Sequence, residues 1–292
     1  MIFVKISRTF AFCIFTNTNI LKTLIIGGGT MGKTYARSFL ETRVLRWSEL
    51  SILEINPSFH EDLIQNKLGT IYGQADSFIA SQELIIFAVK PQDAHAAFEH
   101  IRPFVQPNQV ALSIMAGVKM DTIMQGVGLS KIIRAMPNLP AQIGMGMTAF
   151  TATDEVNRQE LIVVQNLLGT TGMVLYFENE DQIDAATAIS GSGPAYVYYF
   201  MDNMIQAALN LGFNESQAEQ LVWQTFMGSV HLLSKKHLTP NEWISKVASK
   251  GGTTEAALEI FNTRNIDKDI IEGILAAHTR AVDLGKLTNK QD

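Results

Sequence analysis

The chain has 292 residues and a mass of 32.3 kDa, which is about two domains of ordinary size and too long for one small binding module. With 47% hydrophobic and 17% charged residues, 21 Gly and 8 Pro, it is neither disordered nor collagen-like. A formal net charge of -5, a sequence pI near 5.7 and the lack of any Lys/Arg run argue against a nucleic-acid partner.

A single cysteine, Cys13, rules out an intramolecular disulfide and a multi-cysteine zinc site, and it suits a reducing cytoplasm. No apolar stretch reaches the roughly 18 residues that a membrane-spanning helix needs, so no membrane association is expected. At the N-terminus, Lys5 and Arg8 precede a mostly apolar segment, Thr9 to Thr16, with a faint likeness to a targeting peptide. The apolar part is short and no small-residue cleavage site follows. Residues 1–21 are therefore expected to be a poorly ordered extension outside the fold.

From Lys22 the pattern alternates. Thr23 to Ile26 is a short apolar run, followed by Gly27 to Gly32 and a helix-like stretch from Lys33 to Glu41. Strands are predicted again at Leu50 to Ile55 and Glu83 to Val89, with helical patterns between them, the βαβ alternation of a parallel sheet. Val110 to Ile114, Lys131 to Ala135, Thr148 to Thr151 and Val174 to Phe177 read as further strands, and none follows after about Glu180. The expected organisation is an α/β Rossmann domain over 22–179 followed by an all-α domain over 180–292.

In the second part, Thr239-Pro240-Asn241-Glu242 has the form of a capping box, and Asn214 with Gln217 is a weaker one. The helix predicted from Pro194 to Leu211 confines its polar residues, Asp202, Asn203, Gln206 and Asn210, to one narrow stripe. A helix apolar nearly all round must be buried, and a helical domain of this size can hide it only by wrapping helices around it or by packing on a partner subunit. A homo-oligomer formed through this half is the expectation.

Gly27, Gly29 and Gly32 make G-x-G-x-x-G, weak alone but here placed after a strand and before a helix, with Glu54 22 residues further on at the end of the next strand. That context points to a dinucleotide whose pyrophosphate meets the helix N-terminus. Four other segments each admit a structural reading. Ala88-Val89-Lys90-Pro91 ends a buried strand, Arg134 to Pro140 interrupts one with two prolines, and Ser190 to Pro194 and Ser249 to Thr254 both open helices.

Together with Asp184 to Tyr196, these segments give the chain a resemblance to pyrroline-5-carboxylate reductase from Leu24 to about Leu284. The resemblance implies an N-terminal Rossmann domain, an all-α dimerisation domain, a homodimer or higher oligomer, and reduction of 1-pyrroline-5-carboxylate to L-proline with NADPH or NADH. It implies that the cofactor lies on Gly27, Gly29, Thr30, Met31 and Gly32, with Glu54 and Asn56 at the second-strand end. The nicotinamide half falls near Ala88, Val89, Lys90, Pro91 and Asn138. The substrate loop falls on Ser249, Gly251, Gly252, Thr253 and Thr254, with the Thr254 hydroxyl at the ring nitrogen, and no metal is required.

Two departures stand out. Lys250 occupies a position where the family commonly has proline, and Glu54-Ile55-Asn56-Pro57 lacks the arginine that many members carry there for a 2′-phosphate. A rival reading is another imine or β-hydroxyacid reductase, which would place a catalytic lysine on a helix of the second domain. Another is a non-catalytic dinucleotide-binding relative, whose mark would be decay of the 249–254 segment, yet Thr253 and Thr254 are intact.

Overall fold

Short runs of Ile, Leu, Val and Phe form strands here, and longer stretches with apolar residues three and four apart form helices. The computed structural model describes residues 21–288, so most of the expected 1–21 extension lies outside the described residues. The first part runs β1 (Thr23–Ile26), α1 (Thr30–Glu41), β2 (Leu50–Leu53), α2 (His60–Gln65), β3 (Thr70–Tyr72), β4 (Leu84–Phe87), α3 (Ala94–Ile101), β5 (Val110–Ser113), α4 (Met120–Val127), β6 (Ile132–Met136), β7 (Gly146–Ala152), α5 (Arg158–Gly169) and β8 (Gly172–Tyr176). Then come α6 (Asp181–Ala186), a π-helical turn (Thr187–Gly191), α7 (Gly193–Asn210), α8 (Glu215–Lys235), α9 (Pro240–Val247), α10 (Thr253–Thr263) and α11 (Ile266–Thr288).

The strands form one eight-stranded sheet in the order β3-β2-β1-β4-β5-β6-β7-β8. All neighbours are parallel except β6 and β7. Their connection, Pro137 to Met145, contains two prolines and no crossover helix, and an antiparallel partner is what so short a link can reach. β1, β4 and β5 are buried along their whole length, as strands covered on both faces must be. Ile25, Ile52, Ile86 and Leu112 share one core with Tyr35 and Phe39 of α1 and Leu167 of α5. Leu24, Ile26, Ile85 and Phe87 share the other with Phe98 of α3 and Ile123 of α4.

β3 is a strand that the sequence pattern did not announce. Its three residues, Thr70, Ile71 and Tyr72, are half-buried and too few to alternate visibly, and pairing to β2 is what orders them. The chain divides into two compact units, one reaching to Gly191 and resuming at His278, the other Ser192–Ala277. In the first, the end of α11 packs against the loop after β5, so closely that a Cβ on Gly285 would lie 2.6 Å from the Gly117 carbonyl oxygen.

The second unit is helical, and both expected capping boxes are formed. The Asn214 side chain accepts the Gln217 N–H at 3.0 Å, and Glu242 accepts the Thr239 N–H at 2.7 Å. Of the two ways the Pro194–Leu211 helix could be covered, wrapping by its own helices is not seen among the described residues, which leaves the partner subunit that the sequence reading inferred. None of the described residues of α7 is buried, and Tyr198 and Tyr199 are 55% and 68% exposed. Apolarity marked a surface that needs cover, and the described residues do not supply it.

Candidate functional site

The loops at the carboxyl ends of β1, β2, β4 and β6 hold most of the singled-out residues. β1 lies between β2 and β4, where the strand order reverses, which is where open α/β sheets receive ligands. At that point Gly27 adopts φ +101°, and a Cβ on it would lie 2.9 Å from the Ala88 carbonyl oxygen. A Cβ on Gly32 would lie 2.1 Å from the Gly27 carbonyl oxygen, so glycine is what lets α1 close on the turn. Gly29 is the N-cap of α1, and a Cβ there would meet nothing within 4 Å. The first turn of α1 has no acidic residue and no side-chain cap, which leaves the N–H groups of Thr30, Met31 and Gly32 without an acceptor inside the helix. Backbone donors, an uncompensated helix dipole and room beside them fit a pyrophosphate.

Glu54 is buried beside this turn. One carboxylate oxygen accepts the Gly28 N–H at 2.7 Å and the other accepts the Asn56 N–H at 2.8 Å. The acid is thereby fixed at the mouth of the turn, and each oxygen keeps a lone pair for a further donor. The Asn56 amide oxygen accepts from the Ser58 N–H and hydroxyl, so this side chain shapes its own turn, while Ile55 points to solvent. Across the switch point, the Ala88 N–H donates to the Ile26 carbonyl at 2.8 Å, Lys90 is exposed, and Pro91 begins a short 3-10 turn.

The loop after β6 is tied down from several sides. The Asn138 side chain accepts the Met147 N–H at 2.9 Å and donates to the Ser190 hydroxyl at 3.2 Å. A Cβ on Gly191 would come within 2.7 Å of Met136 Cε, which brings the π-helical turn against the same loop. Beneath it lies an ion-pair network with no sequence spacing to reveal it. Arg134, 1% exposed in the middle of an apolar strand, donates to Asp184 at 2.5 Å and to Glu180 at 2.9 Å. Lys119 pairs with Asp184 at 2.8 Å and Asp181 at 2.9 Å. Burial alone would raise the Asp184 carboxyl, but the Lys119 hydrogen bond and the Arg134 charge outweigh it and hold the group below the usual carboxylate value. For Lys119, burial works against the charge and its carboxylate partners prevail, so it is held above the usual lysine value. The signal available in the sequence was Arg134 itself, since a cation inside a buried strand requires a carboxylate.

The 249–254 segment belongs to the helical unit and forms the turn into α10. Gly251 has φ +71°, the Gly252 N–H donates to the Ser249 carbonyl at 3.0 Å, and a Cβ on Gly252 would lie 2.6 Å from the Ser249 hydroxyl. Gly252 is the N-cap, with no side-chain cap, so Thr254 does not serve as a helix cap. Ser249, Lys250 and Thr253 are exposed and Thr254 is half-buried. Ser192, at the N-cap of α7, likewise makes no side-chain capping bond. Among the described residues no cluster of three or more His, Cys, Asp or Glu could hold a metal ion, and no helix is long and apolar enough to cross a membrane.

Residues 180–284 match the family model for the pyrroline-5-carboxylate reductase dimerisation domain, and residues 22–117 match that for NADP oxidoreductase, coenzyme F420-dependent. The chain is 31% identical to pyrroline-5-carboxylate reductase 2 of Bacillus subtilis, over 89% of this chain and 93% of that protein. It is 30% identical to the pyrroline-5-carboxylate reductase of Aquifex aeolicus, over 89% and 96%. Among solved structures it is similar to the Plasmodium falciparum pyrroline carboxylate reductase with NADP bound, with a TM-score of 0.82, 25% identity and coverage of 91% of this chain and 98% of that one.

Proposed function

The chain belongs to the pyrroline-5-carboxylate reductase family, and on that premise we propose how its residues share the work. It reduces 1-pyrroline-5-carboxylate to L-proline with NADPH or NADH, the closing step of proline biosynthesis. The 22–179 part is the dinucleotide-binding domain and the 180–292 part carries the substrate loop and the dimer contacts. The observation that carries this reading is the uncapped N-terminus of α1, with open space at the Cβ position of its N-cap Gly29, at the switch point of the sheet.

Gly27, Gly29, Thr30, Met31 and Gly32 hold the pyrophosphate. Glu54 accepts from the ribose hydroxyls and, with Asn56, fixes the edge of that subsite. Ala88, Val89, Lys90 and Pro91 border the nicotinamide, and Asn138 shapes the adjoining loop. The bound nicotinamide supplies the hydride for the C=N carbon. Ser249, Gly251, Gly252 and Thr253 form the loop that receives the carboxylate, through N–H groups at the start of α10. The Thr254 hydroxyl holds the ring nitrogen and so sets which carbon is presented for reduction.

A buried carboxylate at the second-strand end favours a ribose 2′-OH over a 2′-phosphate, and Ile55 offers no compensating cation, so NADH is the preferred cofactor. The unburied face of α7 supports a homodimer or higher oligomer, the single cysteine supports a cytoplasmic location, and the net charge of -5 speaks against a nucleic-acid partner. Purified protein should oxidise NADH only when 1-pyrroline-5-carboxylate is present and form one L-proline for each NADH consumed. Oxidation with an unrelated imine or a β-keto acid, and none with this substrate, would support the rival reductase reading.

A further inference from the structure

Glu255 stands in the first turn of α10, three residues after the N-cap Gly252. In a capping box its carboxylate would accept the N-cap N–H. Here the Gly252 N–H is held by the Ser249 carbonyl, and Glu255 reaches one residue further back to accept the Gly251 N–H at 2.6 Å. That bond closes on the residue with φ +71°, the left-handed turn of the loop. Two of the four consecutive amides from Gly251 to Thr254 are thus engaged inside the loop. Those of Thr253 and Thr254, the first residues of the helix, have no acceptor within it.

We propose that Glu255 is a positioning residue for the reaction: by taking the Gly251 N–H it locks the left-handed turn and leaves the two threonine amides to receive the substrate carboxylate. This rests on the assignment of the 249–254 loop to the substrate. The working feature is the acceptor oxygen at its present reach. The negative charge opposes an anionic substrate, so a neutral acceptor of the same length serves as well. A role confined to the helix dipole predicts the reverse, because there the charge matters and the reach does not.

The test is steady-state kinetics on folded Glu255→Ala, Glu255→Asp and Glu255→Gln, with Thr254→Val measured alongside. The alanine variant, and the aspartate variant that is one methylene too short, should raise KM for 1-pyrroline-5-carboxylate about tenfold and leave KM for NADH unchanged, while glutamine restores KM to within about twofold; tenfold corresponds to about 1.36 kcal/mol. Glutamine as impaired as alanine, or alanine with an unchanged substrate KM while Thr254→Val is impaired, overturns the positioning role alone. Thr254→Val with unchanged kinetics overturns the loop assignment and this role with it.

Discussion

The sheet unit and the helical unit differ in how far each is finished by its own chain. In the sheet unit, β1, β4 and β5 are buried throughout, and even its buried ions, Arg134 and Asp184, face partners from the same unit. In the helical unit, the 18 residues of α7 include none that is buried, and α8 buries only Ala218 and Val222. Exposed Tyr198, Tyr199, Met204 and Trp223 are too large and too apolar to be left in water as a group. The sheet unit thus closes its central strands within itself and leaves large apolar residues open at its edge strand β8, at Met173, Leu175 and Tyr176, whereas the helical unit leaves the whole of α7 uncovered among the described residues.

The largest effects should come from attacking that unfinished surface. On the proposed reading of α7 as the contact between copies, Tyr199→Asp or Met204→Asp puts an unpaired charge into it and should break the dimer or the fold. Gel filtration that finds both variants folded and in the wild-type oligomer would remove α7 from the interface. The sheet unit should break from within instead. Asp184→Ala leaves Arg134 buried without its nearest partner and should cost about 3–5 kcal/mol of stability, read from denaturant unfolding. The pH dependence follows from the direction of the shift. Because Asp184 is held below its unfolded value, its contribution is complete above the usual carboxylate value and is lost as the pH falls through the folded one. Acid should therefore weaken the sheet unit of the wild type more steeply than that of Asp184→Asn, and parallel acid-unfolding curves would contradict this.

Smaller effects test the chemistry of each half. A hydrogen bond to a charged group is worth about 1.5–3 kcal/mol, so Thr254→Val should lower kcat/KM for 1-pyrroline-5-carboxylate by roughly 10- to 150-fold with NADH affinity unchanged. An unaltered kcat/KM in a folded variant would return Thr254 to a packing role. In the cofactor half, Glu54→Ser should narrow the preference for NADH over NADPH. A wild-type preference for NADPH of about tenfold, worth about 1.36 kcal/mol, would contradict the reading of Glu54.

Much of the sheet unit was legible because its signals are local. The apolar run of β1, the glycines after it and Glu54 lie within one βαβ stretch, and each has a short-range physical reason. What could not be read depends on distant partners. The bond from Gly28 to Glu54 spans 26 residues and that from Arg134 to Asp184 spans 50. No periodicity encodes either one. β3 is ordered by pairing rather than by pattern, and the π-helical turn before α7 has no propensity signature. In the helical unit the capping boxes were visible, since capping is decided within four residues. For α7, apolar composition says that a face must be covered but not by which chain; its exposure among the described residues agrees with the partner subunit that the sequence reading inferred.

The most direct test of this division is to measure NADH binding and 1-pyrroline-5-carboxylate turnover together in monomeric Tyr199→Asp. On the proposed division of work, a sheet unit with a closed central core and a helical unit whose α7 is left open predict NADH affinity close to that of the wild type with turnover lost. A monomer that turns over at the wild-type rate, or one that no longer binds NADH, would contradict it.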